Sequence, residues 1–438
     1  MTLSEIILRA SDAQRPWAAN PIARSAALSN LAKTFTAHRD QLVDLMVDEV
    51  YKPITEARGE FARAVAILEY FSQAVLDPDG TSIPTTDPNF ILSLRRPYGV
   101  AGLITPWNFP VAIPIWKAAP ALAMGNAVVI KPSEFATKTA LFLQELMEKV
   151  LPQGIFTVVP GDAEVGAQLV NSADIISFTG SAKVGQSVVA RTASLGKPVQ
   201  AEMGGHSPAI VLPDADLELL ASQIQIGAFS YSGQKCTATR RIIIVGDEKR
   251  KAEVVETLVA SAEKLVGGDP RDEKTFLGPL IHSDSYKNYA EAIALAKQVG
   301  KVIAGGKIDA TGGNLPSATL TDSIPVEHQL MCEEVFAPIA HVARVSTTDE
   351  AISLANAVRY GLTASIHTSD LEASLRISRR LETGMVKVNG PTAGVDFHAP
   401  FGGDKDSSYG MREQGKASLD FYTHTQTITL NSGARKFQ

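Results

Sequence analysis

From Gly99 onward two kinds of segment alternate, and this alternation restricts the fold more than any other feature. Short apolar runs rich in β-branched residues, at 100–104, 127–130, 156–159 and 175–178, are separated by segments with helical spacing such as 139–150 and 165–171. A strand that is apolar throughout has no side suited to water, which predicts a parallel sheet covered by helices on both faces. The pattern resumes after Gly205, with strands expected near 209–212, 241–245, 338–344, 363–367 and 385–389 and helices near 253–265 and 285–299. This reads as a second α/β lobe. The part preceding Gly99 reads as helices, with apolar residues at Leu28, Leu31, Phe35, Leu42, Leu45, Met46 and Val50 and again along 61–75. Segments 89–96 and 421–430 fit neither pattern; both look like strands outside the main sheets, pairing with each other or with another subunit.

A chain of 438 residues exceeds one ordinary core, so two or three packed lobes are expected. The 41 basic and 47 acidic residues leave a net charge of −6, which gives no reason to expect nucleic acid or an anionic membrane as partner. The uncharged stretch 98–116 is long enough to suggest a membrane span. Its prolines at 106, 110 and 114 instead indicate a buried strand followed by a proline-rich loop. Two cysteines rule out a disulfide framework and suit a reducing compartment. The first residues, Met1-Thr2-Leu3-Ser4-Glu5, lack the basic-then-apolar order of a signal peptide, and a cytoplasmic location is expected.

Cys236 lies in Ser232-Gly233-Gln234-Lys235-Cys236-Thr237-Ala238. A cysteine taken alone is more often a small buried hydrophobe than a nucleophile. The glycine and polar neighbours here suggest exposed backbone, and the adjacent Lys235 suggests a setting that favours thiolate. Cys332 sits beside Glu333 and Glu334, which disfavour thiolate. Glu202 precedes Gly204-Gly205, where backbone can approach a ligand closely. The turn Gly180-Ser181-Ala182-Lys183-Val184-Gly185 follows a strand and opens a helix, a geometry that aims N–H groups at phosphate, although it is not the G-x-G-x-x-G fingerprint.

These features occur within an ordered set: Thr105-Pro106-Trp107-Asn108-Phe109-Pro110, Lys131-Pro132-Ser133-Glu134, Phe178-Thr179-Gly180-Ser181, Glu202-Met203-Gly204-Gly205, Gly233-Gln234-Lys235-Cys236, Glu333-Glu334-Val335-Phe336 and Pro400-Phe401-Gly402-Gly403. The set, spread over nearly the whole chain, resembles the aldehyde dehydrogenase superfamily. That resemblance implies a Rossmann-like NAD-binding lobe from residues 1–78 and 98–203, an α/β catalytic lobe from 204–419, and oligomerisation strands from 79–97 and 420–438. It implies a Cys236 nucleophile, an oxyanion site made by the Asn108 amide and the Cys236 N–H, and Glu202 as the base for thioester hydrolysis. One lost oxyanion donor typically costs roughly 3–4 kcal/mol. Lys117 and Glu413 resemble the family's proton relay, and an ordinary structural ion pair reads equally well.

For the cofactor, the resemblance places Lys131, Ser133 and Glu134 at the adenosine ribose and Gly180 and Ser181 near the pyrophosphate. It places Phe178, Val184, Gly185 and Met203 around them, Glu334 and Phe336 at the nicotinamide ribose, and Ile104, Thr105 and Trp107 along the cleft. Glu134 would repel the extra phosphate of NADP by about 4 kcal/mol at 4 Å and an effective dielectric of about 20, which favours NAD while leaving NADP possible. No metal is expected. Departures from the family pattern are the missing segment ahead of the first helices and a short loop at 160–164. The stretches 113–117, 236–239 and 388–394 look most like the branch oxidising 2,5-dioxopentanoate, with succinate semialdehyde and other small hydroxylated or aliphatic aldehydes as alternatives. A dicarboxylate precursor needs a cation at the end of its tunnel, and Lys235 and His398 are the candidates by position. Glu202 argues against a CoA-acylating enzyme, and Cys236, Glu202 and Asn108 together argue against a non-catalytic protein on this fold. A homo-oligomer, dimer or tetramer, is expected.

Overall fold

In a computed structural model, which describes residues 1–77, 79–85, 89–309 and 313–431, the first group of apolar runs forms one sheet. Its six strands lie in the order Ser408–Tyr409, Val199–Glu202, Ile175–Thr179, Val100–Ile104, Ala127–Lys131, Phe156–Val158. All pairings are parallel except that of 408–409 with 199–202. Strands 127–131 and 175–179 are buried at every position, as continuous apolar runs require. The four N-terminal helices, Leu3–Ala18, Pro21–Ala37, Arg39–Val50 and Ile54–Ala74, share one core with this sheet, joining Leu28, Phe35 and Phe71 to Leu103, Val128 and Phe156.

The second group forms a seven-stranded sheet ordered Lys301–Ala304, Thr319–Asp322, Ile339–Val345, Thr239–Val245, Ser207–Val211, Thr363–His367, Met385–Val388, antiparallel only between its first two members. Separate apolar clusters cover its two faces, one around Ile242, Leu258 and Leu320 and one around Ile243, Ile352 and Ile366. Residues 408–409, expected with this second lobe, return to the first sheet through their pairing with 199–202.

The unassigned segments pair with each other: Phe90–Pro97 lies antiparallel to Thr423–Leu430 over eight residues, with Gly80–Ile83 on its other side. The tail strand begins later than expected, because Phe421 ends the short helix Ala417–Phe421 and both Phe421 and Tyr422 are buried in the first core. The proline-rich loop is also shorter than expected. Helix Ala112–Ala123 starts within it, with Pro114 in the first turn, where its missing N–H has no partner to lose. Among the described residues no helix is long and apolar enough to cross a membrane.

Candidate active site

The chain reaches Cys236 through strained backbone. Helix Leu217–Ile224 runs into a π-helical turn at Gln225–Phe229, and then Tyr231, Ser232 and Gly233 take φ of 52°, 52° and 64°. Two successive non-glycine residues in the left-handed region persist only where their surroundings hold them. Here Tyr231 Oη donates to Val50 O at 3.0 Å and Ser232 Oγ to Gly278 O at 2.6 Å. At 233 only glycine fits, since a Cβ would lie 2.6 Å from Ala337 O. The buried Arg240 guanidinium ties Gly233 O to Ala337 O.

This turn sets Cys236 on the wall of a cavity of about 410 Å³ that Phe109, Trp116 and Phe401 also line. The thiol lies above its ordinary range because it is buried and because Glu334 and Glu202 add negative charge, against N–H groups of Cys236 and Thr237 that favour thiolate. The electropositive setting expected from Lys235 is therefore absent. Its ammonium is spent on Glu56 Oε2 at 3.2 Å and Ser230 Oγ at 2.6 Å. Cys332 is elsewhere, with Sγ 3.6 Å from Val326 O.

Asn108 is brought to the same loop: its Nδ2 donates to Gln234 O at 2.9 Å, two residues before Cys236, and its Oδ1 is buried without a partner. The Asn108 backbone is fixed from behind. Lys52 Nζ donates to Asn108 O at 2.7 Å while paired with Glu60, and Glu60 Oε1 accepts from the N–H groups of Val111 and Ala112 at 2.8 and 2.9 Å. Both ionic side chains are fully buried, and Lys52 also sits over the Phe109 and Tyr231 rings at 3.9 and 4.3 Å.

Glu202 ends strand 199–202 and is buried. Burial and then the Glu413 charge hold its carboxyl well above the usual range, against the hydrogen bond from Ser408 and the Lys117 and Arg412 charges. Oε2 accepts from Ser408 Oγ at 2.5 Å, and Oε1 has no partner. Lys117 and Glu413 form a buried ion pair, tied to Ser177 Oγ at 2.8 and 3.2 Å and, through Glu413 Oε2, to Trp116 Nε1 at 2.6 Å. After Glu202 the backbone passes close to both other motifs. A Cβ at Gly205 would lie 2.3 Å from Cys236 O, and one at Gly204 would lie 2.6 Å from Glu334 Oε2.

The expected cofactor residues gather at the carboxyl ends of the first sheet's strands, where open parallel sheets bind ligands. Ile104 pairs with Lys131 on one side and Phe178 on the other, and Thr105 N donates to Lys131 O at 3.1 Å. Burial lowers the Lys131 pKa, opposed by the charges of Glu134 and Asp162. Ser133 caps the short turn Glu134–Ala136, and Glu134 is exposed. Ser181 caps helix Ala182–Ser194 at its start, leaving Val184 51% exposed on the first turn. Gly180 and Gly185 are close-packed, since a Cβ would meet the Phe178 ring at 2.6 Å and Met203 Sδ at 2.5 Å respectively. Trp107 and Phe336 stack edge-on at 5.8 Å, and Phe336 holds φ of 56°. The Glu334 carboxyl is pushed up to about 7 by burial, against the Arg240 charge. No group of three or more metal-ligating side chains occurs among the described residues.

Sequence reasoning passed over Lys52, Glu60, Arg63, Ser408 and Gln414. Thr55, Glu56, Gly59, Glu60 and Arg63 all line the cavity from helix Ile54–Ala74. Their three- and four-residue spacing was a readable signal, because it places them on one helix face. Of the cations expected at the tunnel end, Lys235 is paired as described, and His398 is exposed and absent from the cavity wall.

The aldehyde dehydrogenase family model matches residues 2–428. An alpha-ketoglutaric semialdehyde dehydrogenase of Bacillus subtilis is 38% identical over 87% of this chain and 80% of its own length. An alpha-ketoglutarate semialdehyde dehydrogenase of Haloferax volcanii is 38% identical over 95% of this chain and 88% of its own. The crystal structure of a betaine aldehyde dehydrogenase from Staphylococcus aureus in complex with NAD+ superposes with a TM-score of 0.93, at 29% identity, covering 98% of this chain and 86% of that one. The chain therefore belongs to the aldehyde dehydrogenase family, the NAD(P)-dependent enzymes that oxidise aldehydes.

Proposed function

We propose that this enzyme oxidises a carboxylated semialdehyde, 2,5-dioxopentanoate first among them, through a thioester on Cys236. The convergence of Cys236, Glu334 and Glu202 around the Gly204-Gly205 backbone carries the mechanism, and the likeness to the two semialdehyde dehydrogenases carries the substrate. Once its thiol proton has passed to water, Cys236 Sγ attacks the aldehyde carbon, and the oxyanion that forms is held by the Asn108 amide and the Cys236 N–H. Glu202 takes a proton from the water that hydrolyses the thioester. The Lys117–Glu413 pair sets the charge behind Glu202 and offers a path for that proton.

The cleft suits a dinucleotide. Thr105 Oγ1, Thr179 Oγ1 and Glu334 Oε1 are buried without partners, and the start of helix 182–194 offers N–H groups to a pyrophosphate. Lys131, Ser133 and Glu134 would hold the adenosine ribose; Ile104, Trp107, Phe178, Gly180, Ser181, Val184, Gly185, Met203 and Phe336 would line the cleft. A bound NAD would supply the hydride acceptor, and loss of that hydride would turn the thiohemiacetal into the thioester.

An amine-bearing aldehyde is the second reading, favoured by the aromatic cavity wall of Phe109, Trp116 and Phe401, since a quaternary ammonium is attracted to such rings. A homo-oligomer built on the three-stranded sheet, in the cytoplasm, completes the proposal. NADH absorbance with 2,5-dioxopentanoate, succinate semialdehyde, butanal and betaine aldehyde, with and without CoA, tests it. The highest kcat/KM is expected for the carboxylated pair without CoA; preference for betaine aldehyde, or a requirement for CoA, would overturn it.

A further inference from the structure

One wall of the Cys236 cavity is the face of helix 54–74 that carries Glu56, Glu60 and Arg63. Two of these three charges are neutralised within the protein. Glu56 is paired with Lys235 at 3.2 Å, and Glu60 with the buried Lys52. Arg63 differs: among the described residues its guanidinium has neither an ion-pair partner nor a hydrogen-bond acceptor, although it is half-buried on the cavity wall. Burial lowers its pKa, and the charges of Glu60, Asp396 and Glu56 oppose that from a distance without pairing. A guanidinium stays protonated under such conditions, so the cavity keeps one uncompensated positive charge.

A second group on the same wall is also unsatisfied. Gln414 is 1% exposed, and neither its amide oxygen nor its amide nitrogen has a hydrogen-bond partner. Its backbone is held at φ of 60°, a conformation an L-residue adopts only under constraint, while Gly415 N donates to Phe397 O at 3.1 Å. A buried unpaired amide in a strained segment costs stability, and such groups persist where a ligand completes them.

We propose that Arg63 and Gln414 form the site for the far end of the substrate, Arg63 clamping its carboxylate and the Gln414 amide donating to the 2-oxo oxygen beside it. This rests on the reading of the substrate as a carboxylated semialdehyde that reacts at Cys236. A guanidinium fork matches a carboxylate with two parallel N–H bonds, and the same charge repels an ammonium-bearing aldehyde. Substrate length between the clamp and the thiol then sets selectivity, and the oxo group distinguishes 2,5-dioxopentanoate from an equally long acid that lacks it.

The experiment compares wild type, Arg63→Met, Arg63→Lys and Gln414→Leu on 2,5-dioxopentanoate, glutarate semialdehyde and butanal. Iodoacetamide labelling of Cys236 and NAD binding serve as checks on an intact site. Loss of a charged hydrogen bond predicts that Arg63→Met raises KM roughly 10- to 100-fold for both acids. Butanal kinetics, labelling and NAD binding should be unchanged, and Arg63→Lys should restore part of the loss. Gln414→Leu should affect 2,5-dioxopentanoate more than glutarate semialdehyde. Equal losses on butanal and the acids, or none on any of them, would overturn the clamp while leaving the wild-type preference for acids in place. A wild type that prefers butanal would overturn the substrate reading, and the clamp with it.

Discussion

Glu202 Oε2 accepts a 2.5 Å hydrogen bond from Ser408 Oγ, and the two residues face each other across the antiparallel pairing of 408–409 with 199–202. The bond favours the carboxylate, whereas burial and the charge of Glu413 oppose it and win. A base in this state acts only when pH exceeds its raised pKa, so thioester hydrolysis should rise with pH above the ordinary carboxylate range. Ser408→Ala removes a bond to the charged form and should move this acidic limb to higher pH. Glu413→Gln removes a like charge and should move it lower. Single-turnover deacylation rates against pH check both, and shifts of the same sign would refute the assignment. Glu202→Gln should release about one NADH per site and then stall.

Cys236 and Glu334 are coupled in the same sense, because the Glu334 charge stands second to burial in raising the thiol. Glu334 itself titrates near 7, so its effect belongs to the alkaline side of that value. Glu334→Gln should speed iodoacetamide labelling of Cys236 at pH 8.5 and leave it little changed at about pH 6, where wild-type Glu334 is already mostly neutral. Labelling rates that match wild type at both pH values would contradict the coupling. Cys236→Ser should abolish turnover, and Cys332→Ala should preserve it.

The main architecture was legible because its strands are buried on both faces and so read as nearly continuous apolar runs, as 127–131 and 175–179 show, where only Lys131, Ser177 and Thr179 are polar. The motifs near Cys236, Glu202 and Asn108 were legible for a different reason: each combines a reactive side chain with backbone shaped by glycine or proline. What escaped notice depends on three-dimensional pairing. Lys235 was read as activating the thiol because it is adjacent in sequence, yet its side chain turns toward Glu56, 179 residues earlier. Arg63 drew no attention because a charged residue on a helix usually faces water, and only folding shows that Glu56 and Glu60 on its face are already paired. The helix from Ala112 was obscured by its prolines: Pro114 falls in the first turn, where a proline costs little, and Pro120 lies inside the helix.

Glu134 is exposed beyond the end of strand 127–131, where its charge would face an adenosine 2′-phosphate. Glu134→Thr should therefore narrow the preference for NAD over NADP in kcat/KM, chiefly by improving the NADP constant. An unaltered ratio would show that Glu134 does not face the ribose.

Lys52 and Glu60 form an ion pair with no exposed side-chain surface, and between them they hold Asn108 O and two N–H groups of the following turn. Lys52→Met strands a buried carboxylate, which typically costs about 3–5 kcal/mol. Glu60→Gln keeps an acceptor for Val111 and Ala112 and should be milder. Urea unfolding of the two variants checks the ranking. Turnover should fall in both because the Asn108 amide loses its support, and wild-type stability in Lys52→Met would show the pair to be dispensable.

The three-stranded sheet of 80–83, 90–97 and 423–430 leaves both faces largely open. Strand 80–83 is exposed at all four positions, and Phe90 and Leu430 are 64% and 50% exposed. Three strands without a covered apolar face are marginal in water, and the edge formed by 423–430 pairs with nothing further among the described residues. A second copy of the chain would cover this sheet, and a two-fold arrangement would satisfy both edges at once. Deleting residues 423–438 removes the tail strand but keeps Phe421 and Tyr422, which belong to the main core. The truncated protein should aggregate or lose activity although Cys236, Glu202 and Asn108 all remain, because 90–97 would be left as an uncovered edge. Light scattering and NADH production on the same preparation decide the matter: a soluble, fully active monomer would show that the sheet has no part in assembly.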